Sequence, residues 1–395
     1  MHRGPPGLSY NRGMPYESID RLQNALCESV FHYAKDKKKA AGRALGTLVE
    51  VITFYLLKSW GFEQSIAIER ALPEFGNPEI THNVEFSLHP ILGEFDLSLV
   101  REQLPIRSEH LFEELASGPF DLAAFKASKH TLLSKKGNLR NSCFVGTSHF
   151  SHLVATMKTV DFASSRLIAV VEQYRQPYAI FECKRVGVEE GMKKGPQTIE
   201  KAKQGAYVAG SVSSMHKMRL LSGELQGLMH RRDGTIYTRP YVDLINEVVH
   251  SDDSELLKDF VMTVGVVSNH GNWFTSDSHN KELKVLSQSY DWLLFLTDAG
   301  LAQFITDLLL SPLPELSAAR EAFLSSYGPD KVVNSFTKIS MSYKADRVLE
   351  GYFRKHQASV KTWFNVIGPK NHPISELQVQ LSLLRKKDWR GVYIS

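Results

Sequence analysis

Tyr178-Ala-Ile-Phe-Glu-Cys-Lys-Arg185 is the stretch around which the rest of the chain can be arranged. Ala179, Ile180 and Phe181 form an apolar run that meets Glu182 and Lys184, the pattern of a short buried strand. Side chains alternate between faces along a strand, so Glu182 and Lys184 share one face and Cys183 takes the other. A carboxylate and an ammonium at the end of an apolar strand are expensive to desolvate unless something there uses them. Metal-assisted phosphodiester hydrolysis uses both. Glu182 would ligate a divalent cation, the Cys183 backbone carbonyl would be a further oxygen ligand, and Lys184 would stand beside the attacking water. A lone Glu-x-Lys is common by chance, so further carboxylates must converge on it.

Toward the N-terminus, Gly93-Glu-Phe-Asp-Leu-Ser-Leu-Val100 alternates cleanly. Phe95, Leu97 and Leu99 lie on one face and Glu94, Asp96 and Ser98 on the other, which predicts a half-buried strand. Asp96 is the second candidate acid. Gln64-Ser-Ile-Ala-Ile-Glu69 and Asn83-Val-Glu-Phe-Ser-Leu88 also read as extended. Ahead of them, Ala40–Trp60 is predicted to be a helix with a wide apolar stripe (Leu45, Leu48, Val49, Ile52, Tyr55, Leu56 and Leu57) ended by Gly61. Glu50 sits at the stripe's edge, either as an exposed glutamate or as a carboxylate aimed into the site. An amphipathic helix is expected from Tyr16 to Tyr33. The basic Lys35-Asp-Lys-Lys-Lys39 with Arg43 follows, as a phosphate contact or a solvated turn.

Residues 101–177 read as an inserted unit, with helices expected at Ser108–Ala116 and Asp121–Leu133. From Leu122 to Val160 the sequence holds no Asp or Glu, but it holds Lys126, Lys129, Lys135, Lys136, Arg140 and Lys158. A surface of one sign attracts a polyanion. The tip Lys135-Lys-Gly-Asn-Leu-Arg-Asn-Ser142 offers Asn138, Arg140 and Asn141 as groups able to reach base edges. His149 and His152 have no further ligands at metal-binding spacing. Asp161 opens a helix-like run to Val171 and is the alternative to Asp96 as the second acid.

Downstream of the Glu-x-Lys strand, Arg185 and the loop lysines Lys193 and Lys194 precede a predicted helix from Thr198 to Ala209 carrying Lys201 and Gln204. Val212–Leu228 is expected to be helical. Phe260–Val267 reads as a central strand running into a polar loop, where His270 and Asn272 would face a ligand. Asp291–Leu310 is predicted as a strong apolar helix, and the chain is predicted to be mainly helical beyond Pro312.

Composition narrows the class. The 395 residues are 43% hydrophobic and 23% charged, which suits an ordinary globular protein with a large core. A net charge of +4 and a pI of 8.7 permit nucleic acid as a partner without demanding it. No uninterrupted apolar run reaches the roughly 18 residues of a membrane span, and the N-terminus lacks the apolar segment of a signal peptide. Cys27, Cys143 and Cys183 are too few and too scattered for a disulfide framework or a structural zinc site, which fits a reducing, intracellular setting.

The order helix with Glu50, strand with Asp96, strand with Glu182-x-Lys184 and helix with Gln204 resembles the PD-(D/E)xK nuclease superfamily, and within it the type II restriction endonucleases. The resemblance covers roughly residues 40–210 as an ordered set of elements, not as close identity. Phe95 stands where that family often has proline, and the segment 101–177 separates the two acidic strands. The resemblance implies an α/β fold: a mixed central β-sheet flanked by helices, an αβββαβ core that includes the strand near 260–267, a helical insertion and a helical C-terminal region. It implies that Asp96 and Glu182 hold Mg2+, that Lys184 assists the water and that Glu50 supports the metal. It further implies double-stranded DNA as substrate, a two-fold homodimer, no membrane and a prokaryotic cytoplasm. On this basis residues 1–39 form an arm and first helix, 40–310 the nuclease core interrupted at about 101–177, and 311–395 a helical region for dimerisation or DNA contact. A repair or recombination nuclease, or a non-catalytic DNA-binding module, are the other expectations.

Overall fold

The structure is a computed structural model. It describes residues 19–394 apart from 79, 81–82, 101–103, 159–164, 187–204, 214, 232, 270–280 and 328–333. Its centre is a six-stranded mixed sheet in the order Ile66–Arg70, Val84–Leu88, Ala179–Val186, Met262–Asn269, Trp292–Leu296 and Phe364–Gly368. Ala179–Val186 runs antiparallel to Val84–Leu88 on one side and parallel to Met262–Asn269 on the other. Helices cover both faces, and the region beyond Pro312 is mainly helical. The helix–strand–strand–strand–helix–strand order is present, beginning with Lys37–Ser59 and passing through the helix at 205–212.

Helix Lys37–Ser59 forms where the sequence predicts it. Asp36 caps its first turn by accepting from the Lys39 amide at 3.0 Å. Gly61, at φ 83°, lets the chain turn away after Trp60. By length and composition this helix could cross a membrane, but most of its apolar window is buried in the core. Phe54 stacks on Phe86 of the sheet at 6.0 Å. Its far end is tied to helix Tyr343–Lys355 by a buried ion cluster. Lys58 Nζ lies 3.1 Å from Asp346 and 3.0 Å from Glu63, and Tyr55 donates to Asp346 at 2.7 Å.

Three expectations are corrected. The segment 101–177 is not mainly helical: after helix Ser108–Glu114 it is built of short strands, and Ser165–Tyr174 is a ten-residue strand where a helix was expected. These strands form a five-stranded antiparallel sheet, with Ile91–Val100 at its edge, and part of a four-stranded sheet. They enclose a separate apolar core around Leu111, Leu132, Val145, Leu153 and Ile168. Val212–Leu228 is also not a continuous helix. Met215–Arg219 and Leu225–His230 pair as a hairpin, turned at Gly223 with φ 89°. Finally, Trp292–Leu296 is a strand buried on both faces, and helix begins only at Asp298. A continuous apolar run fits a strand covered by helices as well as it fits a buried helix, so periodicity alone does not separate them.

Candidate catalytic site

Glu182 lies in the middle of the sheet. Its side chain is 1% exposed, and neither carboxylate oxygen has a hydrogen-bond partner among the described residues. Lys184 Nζ stands 3.4 Å from Glu182 Oε2 on the same face, as the alternation predicts. Burial pushes the Glu182 pKa up to about 7, against the opposing pull of Lys184. Gly205, in the helix at 205–212, lies directly over it. A Cβ built on Gly205 would meet Glu182 Cγ at 3.1 Å and the Tyr290 hydroxyl at 2.8 Å, so only glycine allows this approach. Cys183 points to the opposite face, where its thiol bonds to Thr53 of helix Lys37–Ser59 and burial raises its pKa. The Cys183 carbonyl lies between Glu182 and Lys184 along the strand.

The neighbouring strand supplies the second acid. Ala179, Ile180 and Phe181 pair with Leu88, Ser87 and Phe86. That antiparallel pairing ends at Phe181 and Phe86, and Glu182 and Glu85 are the next residues on the two strands. Glu85 is buried. Glu69, on the next strand, lies between the pairs Ile68–Phe86 and Arg70–Val84, beside Glu85. It adopts φ 48°, a left-handed conformation that non-glycine residues hold only where their surroundings require it. Glu50 reaches in from helix Lys37–Ser59.

These acids converge on a residue from far along the chain. Lys338 Nζ lies 3.1 Å from Glu50 Oε2 and 2.9 Å from Glu69 Oε1, and it contacts Glu85 Oε1. Sequence reading missed Glu85, Glu69 and Lys338. For Glu85 a signal existed: it occupies a polar position in the alternating stretch Asn83–Leu88. Lys338 carries none, because only the tertiary fold brings it there.

Asp96 does not join this group. Strand Ile91–Val100 belongs to the five-stranded sheet, paired with Ser165–Tyr174. The chain leaves the central sheet at Leu88, across from Ala179, and so at the end of that pairing away from Glu182. Asp96 is 43% exposed and ion-paired with Lys158 at 2.6 Å. The alternating pattern placed it correctly on a strand but on the wrong sheet. Asp161, the alternative, lies outside the described residues.

Among the proposed DNA contacts, Lys126, Lys129, Lys135 and Lys136 are exposed, and Asn138 and Arg140 are half-buried. Asn141 is buried and donates through Nδ2 to the Lys338 carbonyl at 2.9 Å, so it anchors that loop rather than reaching a base. Arg185 belongs to the Glu182 strand. Lys193, Lys194, Lys201, Gln204, His270 and Asn272 lie outside the described residues.

Among the described residues, no group of three or more His, Cys, Asp or Glu is set as a ready metal cage. Two buried carboxylates on adjacent strands, Glu182 with Lys184 beside it, are nonetheless the kind of oxygen donors that a hard divalent cation takes. No protein-family model, no curated protein and no solved structure matches this chain.

Proposed function

We propose that this chain is a Mg2+-dependent endonuclease acting on double-stranded DNA, with Glu85 and Glu182 as the metal-holding acids and Lys184 as the ammonium at the reacting phosphate. One observation carries this reading: Glu182 is buried in the central sheet with Lys184, two residues on, beside its carboxylate on the same face, and a second buried acid, Glu85, lies on the adjoining strand. The order of elements, which resembles the PD-(D/E)xK nucleases, supports it.

A bound cation would neutralise charge on the phosphate and lower the pKa of its water. The protein's own groups do the rest. Glu182, buried and short of partners, takes up positive charge readily. Lys184 keeps its head partly in solvent, where it can donate to an attacking water or to a phosphoryl oxygen as charge builds there. Glu50 and Glu69 approach from the other side and hold Lys338 against Glu85. The exposed lysines Lys126, Lys129, Lys135 and Lys136 would lie along the polyanion and give its binding a steep salt dependence. Cutting both strands at one site calls for two such centres, hence a two-fold homodimer in a prokaryotic restriction system.

Incubation with supercoiled plasmid, with and without Mg2+, tests this. Discrete fragments only with the metal are expected. Nicking or structure-selective cutting would move the reading to a repair or recombination nuclease. Retention of DNA without cutting at any metal concentration would make it a binding module and overturn the proposal.

A further inference from the structure

Lys338 is not a surface lysine that happens to lie near acids. It is 4% exposed. Its backbone is fixed on both sides: the Asn141 amide groups donate to the Lys338 and Ile339 carbonyls at 2.9 and 2.8 Å, and Thr337 N donates to Ser340 O at 2.9 Å. Strand Ser340–Ser342 then pairs with Asn138–Arg140 of the inserted unit. An ammonium has three donors, and here three carboxylates from three different elements meet it. Left to themselves, three acids so close would repel one another. One of them, Glu69, holds a left-handed backbone conformation where it turns to the lysine. Glu182, on the strand adjoining that of Glu85, is buried with only Lys184 as a charged partner among the described residues.

We infer that Lys338 is a built-in cation of the site: its ammonium fills the place among Glu50, Glu69 and Glu85 that a divalent ion would otherwise take. This rests on the metal-dependent reading above and deepens it. The protein would work with one divalent ion where its carboxylates are numerous enough for two. Lys338 is a positioning residue in this scheme, acting through the acids it holds. Because its loop is paired to the inserted unit, that unit also sets the geometry of the acids.

Calorimetric titration of the full chain with Mn2+ tests the inference directly. Lys338→Met should bind one ion more per chain than the wild type, while Lys338→Arg, which keeps the charge, should bind the wild-type number. Without metal, Lys338→Met should melt below the wild type, and Mn2+ should raise its melting temperature by more than it raises the wild type's. A Lys338→Met protein that binds the same number of ions as the wild type overturns the inference, and so does one that stays unfolded in Mn2+. The wild-type count answers a separate question. If the wild type binds no ion while Lys338→Met gains one, the role of Lys338 stands and the nuclease reading falls.

Discussion

Two strands that follow one another in the chain, Val84–Leu88 and Ile91–Val100, show how the same alternating pattern can bury one acid and leave another in water. Both alternate polar with apolar residues, and each carries an acid at a polar position. Glu85 lies in the central sheet, buried, one residue beyond the last pair that joins its strand to that of Glu182, with Lys338 at its carboxylate. Asp96 lies in the neighbouring sheet, 43% exposed, with Lys158 beside it. Water and Lys158 satisfy Asp96, so little is gained there by binding a cation. Glu85 and Glu182 also have lysines beside them, but both carboxylates have been taken out of water, which makes them stronger seats for positive charge. The inserted unit repeats the lesson with the sign reversed. A stretch without acids in the sequence is not without acids in space, because Lys158 is neutralised by Glu94 and Asp96 from another strand.

The largest effect should come from the buried side of this contrast. Glu182→Gln or Lys184→Ala should lower Mg2+-dependent cleavage by about a hundredfold or more, the scale of losing one group that stabilises transition-state charge. Binding measured in Ca2+ should survive in Lys184→Ala. Binding lost along with cleavage, in a folded protein, would contradict the role given to this lysine.

The next is a stability effect with a definite sign. Folding raises the Glu182 pKa from its ordinary 4.5 to about 7, so the folded state favours the protonated acid. The associated stability is fully present below the ordinary value and is lost as pH rises through about 7. Glutamine has no such penalty. In EDTA, Glu182→Gln should therefore gain on the wild type by about 3 kcal/mol as the pH is raised from about 4 to about 8. Denaturant unfolding of both proteins across that range checks it, and a gap that does not change with pH would show that Glu182 is not desolvated.

Gly265, which pairs with Glu182 on the other side, gives a smaller effect. A Cβ there would come within 2.7 Å of the Tyr290 ring. Gly265→Ala should lower stability by about 1–3 kcal/mol through overpacking. Smallest of all, Asp96→Asn should change stability by less than about 1 kcal/mol, because its ion pair is solvent-exposed.

Much of the core was legible because its signals are local. The long helix announces itself through its stripe and Gly61, the strand at 179–186 through its apolar run, and the strand at 262–269 through its β-branched residues. Glu182 and Lys184 followed from the pleat alone. The choice between Glu85 and Asp96 was not legible, since alternation reports that one face is polar, not whether that face meets water or another strand. Trp292–Leu296 was misread because its run carries no period. Lys338 could not be found from its own neighbourhood, because its role depends on a loop held by Asn141 of the inserted unit.

The central claim is that the acid working with Glu182 is Glu85 and not Asp96. Parallel plasmid cleavage assays in Mg2+ on the wild type, Glu85→Gln and Asp96→Asn test it most directly. The account predicts that Glu85→Gln is inactive while Asp96→Asn cuts at close to the wild-type rate. An active Glu85→Gln beside a dead, folded Asp96→Asn would contradict it.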